Sequence, residues 1–163
     1  MTGVYTGRWT AQLDSEVAVF LIGMRFNTLW RVDRWWPVVT AMPRMLRHLE
    51  AHPESGLLGW HQWLGRTTIL VSYWRGVEDI LAFAKDSDAP HAAAWREFNT
   101  RIGKDGTVGI WHETYVVGPG RAETVYANMP AFGLAGATRH VPVTPATATA
   151  RRRLGGPARG SEA

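Results

Sequence analysis

The feature that most constrains this chain is the order in which two hydrophobic periods follow one another. Runs dense in β-branched and aromatic residues, as strands are, alternate with stretches whose apolar residues recur every three or four positions, as in helices. Glu16 to Phe26, containing VAVFLIGM, reads as a buried first strand ended by Asn27 and Thr28. Val38, Met42, Met45, Leu46 and Leu49 then share one helical face, with Asp33 placed to cap, Pro43 to kink, and an end expected between Glu50 and Pro53. GLLGWHQWLG (56–65) and RTTILVSYWRG (66–76) follow as two aromatic strands joined by a turn at Gly65. Val77, Ile80, Leu81 and Ala84 begin a second helix that DSDAP (86–90) interrupts; Asp88 then caps a continuation carrying His91, Trp95, Phe98 and Ile102. TVGIWHETYVVG (107–118) is the fourth strand. The order β-α-β-β-α-β is that of the split βαβ or ferredoxin-like unit, so the expected class is α+β with an antiparallel sheet.

Side-chain alternation adds a quaternary expectation. Ile69, Val71 and Tyr73 point to one face of the third strand and Leu70, Ser72 and Trp74 to the other, so both faces are substantially apolar. Two helices cover one face only. A second copy packed sheet to sheet would cover the other, which predicts a homodimer. The expected division is an irregular N-terminal arm over 1–16, one domain with a C-terminal strap over 17–138, and a basic, mobile tail over 139–163.

Charge and composition narrow the function classes. Five of the 18 basic residues and one of the 14 acidic ones lie from Arg139 onward, leaving 13 of each sign in the body. A neutral body lacks the electrostatic footprint of a nucleic-acid-binding domain, and none is expected as partner. With no cysteine, disulfides, thiolate metal sites and a cysteine nucleophile are excluded, and no other metal-ligand spacing appears. The longest apolar run, Val17 to Met24, is less than half of the roughly 20 residues a membrane-spanning helix needs, so no span is expected. Asp14 and Glu16 stand before that run with no cleavage pattern after it, so a cytoplasmic location is expected. Nine tryptophans are the compositional outlier; each is a large surface with one donor, suited to lining an aromatic pocket.

The topology and the strings YWRGVEDILAFA (73–84), HAAAWREFN (91–99) and GIWHETY (109–115) resemble a monooxygenase-like family of unknown function related to the antibiotic-biosynthesis monooxygenases. The likeness spans about residues 10–140. It implies a dimeric α+β barrel with a pocket between sheet and helices, often oxygenating a small molecule without flavin or metal. Relatives in the wider superfamily include haem degraders, aldoxime dehydratases, chlorite dismutases and cofactor-free isomerases, so fold alone does not specify the reaction.

Candidate site residues follow from chemistry and position. His91 lies in the first turn of a helix, where burial and the positive helix end both disfavour the imidazolium; neutral, it could act as a base or bind haem, or donate to a carbonyl as a core residue. His112 and Glu113 are adjacent on a strand and so face opposite ways, His112 with Ile110 and Thr114, Glu113 with Trp111 and Tyr115. His61 shares a face with Trp63, and Trp60 and Gln62 take the other. Arg25, a charge on an apolar strand, must pair, with Glu113 or Asp79, or anchor an anionic group of the substrate. The resemblance further sets Asn27, Trp74 and His91 beside the asparagine, tryptophan and histidine of haem-degrading relatives.

The expected function is a monooxygenase-like oxidoreductase acting on a hydrophobic small molecule, in secondary metabolism or detoxification. Trp60, His61, Trp63, Trp74, Trp95 and Phe98 bind the substrate; His91, His112, Arg25 and Asn27 are the catalytic candidates. Dioxygen is the co-substrate and no resident cofactor is expected. The alternatives are a haem protein with His91 as axial ligand, and a non-catalytic small-molecule-binding dimer.

Overall fold

The computed structural model of the chain describes residues 3–86, 100 and 105–155. Strands β1 (Tyr5–Gln12) and β2 (Val17–Phe26) precede helix α1 (Val32–Ala51). Strands β3 (Leu57–Trp63) and β4 (Ile69–Trp74), helix α2 (Val77–Lys85) and strand β5 (Val108–Val117) complete the expected unit. Strand β6 (Tyr126–Met129), the short helix α3 (Gly133–Ala137), strand β7 (Arg139–Pro142) and helix α4 (Ala150–Arg153) follow.

The main sheet has the order β3-β4-β2-β5 with every neighbouring pair antiparallel, which is the ferredoxin-like arrangement. Strand β2 is central because it is the most continuously apolar. It pairs with β5 along its whole length, from Val17 opposite Val117 to Phe26 opposite Val108, and with β4 from Ala18–Trp74 to Ile22–Leu70. Helix α1 starts where expected, but Asp33 does not cap it. It lies in the first turn and pairs with Arg31 at 3.0 Å, and that hydrogen bond holds its carboxyl below the ordinary value.

The second sheet, β6-β1-β7, corrects two readings. The stretch read as an irregular arm contains β1, and the stretch read as a mobile tail begins with β7; they pair from Trp9–Pro142 to Gln12–Arg139. The strand YTGRWTAQ is mostly exposed and carries no clean period-two pattern, so its pairing depends on partners more than 110 residues away. Its register shift falls between Tyr5 and Arg8, where Gly7 takes a φ of 85° and donates to Asn128 Oδ1 at 3.0 Å.

Alternation divides the main sheet into two faces. Towards the helices point Ala18, Phe20, Ile22 and Met24, with Leu70, Ser72 and Trp74 from β4. Ala18, Leu49, Trp74 and Ile80 form one buried cluster there, and Met24 and Val108 a second under Trp35, Val38 and Val39. The reverse face carries Val19, Leu21, Ile69, Val71 and Tyr73. Part of it is closed by the chain itself rather than left for a partner: α3 packs on β3, with Ala137 beside Gly59 and Gly133 beside the Tyr73 hydroxyl. On the same face Trp111 lies across Gly23, where a Cβ would stand 2.0 Å from the Thr68 carbonyl oxygen and 2.7 Å from Trp111 Nε1. Only glycine fits.

Candidate functional site

Beneath α1 and α2 the helix-side face leaves a cavity of about 340 Å³. Met45, Leu46 and Leu49 reach it from α1, Ile80, Leu81 and Phe83 from α2, and Phe20, Ile22, Leu57, Leu70 and Trp74 from the sheet. The polar lining residues described are Ser72, His112 and Thr114. This is the pattern of a small-molecule site, a mostly apolar hollow with a few converging polar groups.

Two of those polar groups have different duties. The Trp74 indole donates from Nε1 to Ser72 Oγ at 2.9 Å, and Ser72 Oγ donates in turn to the Phe20 carbonyl at 3.0 Å. Ser72 thereby spends its one proton inside the sheet, and it locks the tryptophan as a rigid wall that meets Phe83 at 5.8 Å. His112, opposite Ile22 on the edge strand β5, has its ring 5.8 Å from that of Phe20 and stays exposed to the cavity opening. It is the one titratable side chain among the described lining residues. An imidazole beside an apolar hollow can take a proton from a bound molecule and return it to water.

The other predicted site residues separate. Trp60 is on the helix side but borders a neighbouring groove with Leu49 and Pro53, its Nε1 donating to Glu50 Oε1 at 3.1 Å. His61 and Trp63 are on the reverse face, so neither lines the cavity. The strand alternation placed those two together and left open which face was theirs. His61 Nε2 accepts from the Gly133 backbone N–H at 2.9 Å and its ring stacks on Phe132 at 4.0 Å; burial pushes its pKa below the ordinary value, consistent with a neutral acceptor. Trp63 packs edge-on to Phe132 at 6.2 Å.

Arg25 is exposed and donates to Thr67 Oγ1 at 2.8 Å. Neither acid suggested for it is its partner: Glu113 accepts from the Tyr115 hydroxyl at 2.6 Å, raising that phenol's pKa, and Asp79 meets Arg75 at 3.4 Å. Arg25 and Asn27 both lie away from the cavity, at the end of β2, and Asn27 Nδ2 donates to the Gly106 carbonyl at 3.0 Å. His91, Trp95 and Phe98 fall outside the described residues. Among the described residues no group of three or more histidine, aspartate or glutamate side chains converges to hold a metal ion. None of the described helices is long and apolar enough to cross a membrane.

Sequence reasoning missed Ser72 as the support of Trp74, although their two-residue spacing on a strand was visible. It read a strap but did not place Phe132 and Gly133 against His61, about 70 residues away in the chain. Tyr126 presents its hydroxyl to the Ala135 backbone N–H at 3.3 Å, and burial raises its pKa. Beside it His140 is enclosed by Tyr5 at 4.6 Å and Trp9 at 4.8 Å.

A family model described as monooxygenase af470-like matches residues 17–134. The curated protein monooxygenase af470 of Aspergillus fumigatus is 27% identical over 157 residues, covering 78% of this chain and 53% of that protein. The chain therefore spans about half the length of the curated relative it matches. Among solved structures, an aldoxime dehydratase is similar with a TM-score of 0.39 at 13% identity, over 81% of this chain and 42% of that one. MupZ from Pseudomonas fluorescens aligns with a TM-score of 0.36 at 11% identity, over 71% and 74% respectively.

Proposed function

This chain belongs to the monooxygenase af470-like family, and from that premise we propose that its helix-side cavity oxygenates a hydrophobic, conjugated small molecule with dioxygen as co-substrate. The observation that carries this reading is the position of His112, the one titratable group among the described residues lining a mostly apolar hollow walled by the pinned Trp74 indole. Bound with an activated methylene near His112, the substrate loses a proton to the imidazole. The carbanion left behind reduces dioxygen and forms a carbon–oxygen bond. Loss of the second hydrogen as a proton with cleavage of the oxygen–oxygen bond then yields a carbonyl and one water, so that R₂CH₂ + O₂ gives R₂CO + H₂O with all four electrons that reduce dioxygen drawn from the substrate. No resident redox group is needed. The apolar walls keep water from the anion before dioxygen reaches it.

The reverse face supports a homodimer in the same reading. Beyond the strap it keeps Val19, Leu21 and Val71 half-buried and leaves Glu113 and Tyr115 exposed, and a second sheet packed there would cover them.

The test is oxygen uptake by the purified full chain offered a panel of hydroxylated polycyclic ketones and 1,3-diketones, with its absorbance spectrum taken first. We expect a colourless protein that consumes oxygen only with substrate, and a loss of about a hundredfold or more in rate in His112→Ala at unchanged Tm. Equal uptake by His112→Ala and wild type would remove His112 as the base. A Soret band carried through purification would replace the reading with a haem enzyme.

A further inference from the structure

The end of the molecule where β2 runs into α1 is apolar and cationic at once. Two elements are tied together there. Phe26 N–H donates to the Arg66 carbonyl at 2.9 Å, and Arg66 Nε donates back to the Phe26 carbonyl at 3.3 Å, so the β3–β4 turn sits against the β2–α1 linker. Trp35 fixes the linker from inside, donating from Nε1 to the Leu29 carbonyl at 3.0 Å and packing its ring on Phe26 at 5.1 Å.

On this frame the largest side chains point outward. Trp30 is 81% exposed and Leu64 80%; Leu29, Val32 and Trp36 are each about half exposed (54%, 48% and 57%). Folding gains nothing from an indole and a leucine held in water, and a cluster of them marks an interaction surface. Four arginines lie at the same end, Arg25, Arg31, Arg34 and Arg66, against the carboxylates of Asp33 and Asp105. Arg25 and Arg66 hydrogen-bond to neutral oxygens, the Thr67 hydroxyl and the carbonyls of Phe26 and Asn27, so their charges remain available to an anion.

We propose that this end of the domain docks on an anionic lipid bilayer, with Trp30 and Leu64 entering the headgroup region and the arginines engaging lipid phosphates. Indole and guanidinium suit that depth because each has an apolar body and a polar edge, and the two attractions add. A protein partner would be better served by a recessed pocket, whereas these anchors stand on a turn and a linker as projections. The surface also leads inward. Leu64 borders a second hollow of about 90 Å³ with Val38, Val39 and Met42, and Ile22 lines both that hollow and the larger cavity. The two hollows thus adjoin at Ile22 on the helix-side face, with the docking end next to the smaller one. Docking itself stands apart from the oxygenase reading and is measured without turnover.

The experiment is co-sedimentation of the full chain with vesicles of phosphatidylcholine alone and of phosphatidylcholine with phosphatidylglycerol. Wild type is expected to sediment with the anionic vesicles, less so in high salt, and the double variant Trp30→Ser/Leu64→Ser to bind more than about tenfold more weakly with its circular dichroism unchanged. Arg25→Gln should lower the preference for anionic lipid, and Leu154→Ser, at an exposed leucine just after α4, should bind as wild type does. Trp30→Ser alone provides the same readout if the double variant fails to fold. The proposal is overturned if wild type stays in solution at millimolar anionic lipid or if the Trp30 variants sediment like wild type. It is equally overturned if those variants abolish self-association while wild type shows no vesicle binding, which would assign the surface to another copy of the chain.

Discussion

The two faces of the four-stranded sheet are made from the same alternating strands and meet opposite fates. On the helix side, α1 and α2 stand far enough off the sheet to leave a hollow, and the groups facing it are a locked indole and an imidazole exposed to the opening. On the reverse side the strap of β6, α3 and β7 comes down on β3, and the imidazole there, His61, accepts a backbone hydrogen bond and stacks on Phe132. One histidine is left available for chemistry and the other is consumed by structure. The difference lies in what each one touches, because residue type and strand position are alike.

Removing Trp74 should break this contrast most severely, since its indole is both cavity wall and core: Trp74→Ala is expected to cost about 3–5 kcal/mol in urea unfolding, or to prevent folding. A Trp74→Ala variant with unaltered stability would show that the wall is not part of the core. Next in size is Gly23→Ala on the reverse face. The added methyl must displace the Thr68 carbonyl or the Trp111 indole, and a loss of about 2–3 kcal/mol is expected. The expected perturbation shows in near-ultraviolet dichroism, because an indole is the neighbour that moves.

His61→Ala should come third, at about 1–2 kcal/mol for an unpaired Gly133 N–H and a lost ring contact, with faster proteolysis of the strap as its signature. This residue also carries a pH dependence. Burial depresses its folded-state pKa below the ordinary 6.5, so between those two values the unfolded chain binds more protons than the folded one. Its contribution to stability is therefore complete above pH 6.5 and is lost as the pH falls towards the folded value. The fall in Tm of wild type from pH 7 to pH 5 should be shallower in His61→Gln, and identical slopes would refute the assignment.

The main unit could be read from the residues because its signals are local. The run of β2, the spacing of Val38, Met42, Met45, Leu46 and Leu49, and the turn at Gly65 each report their own element, and their order selects the ferredoxin-like connection. The second sheet could not. YTGRWTAQ is a mixed, mostly exposed strand and RHVP a short one, and each makes sense only in the sheet they form together. For the site the division is similar. Of the residues named from type and position, His112 and Trp74 line the helix-side cavity and His61 and Trp63 lie on the reverse face, because alternation assigns residues to a common face without saying which face the helices will cover.

By itself, then, the sequence determined which side chains travel together: Leu70, Ser72 and Trp74 on one side of β4, Val71 and Tyr73 on the other, His112 apart from Glu113. A two-residue period is a property of the extended backbone and needs no partner to hold. What only the tertiary structure decided was the environment of each set. Whether a face becomes a cavity or a closed seam depends on α3 and Phe132 arriving from some 70 residues away to sit on His61, and contacts across that separation leave no periodic trace in the chain.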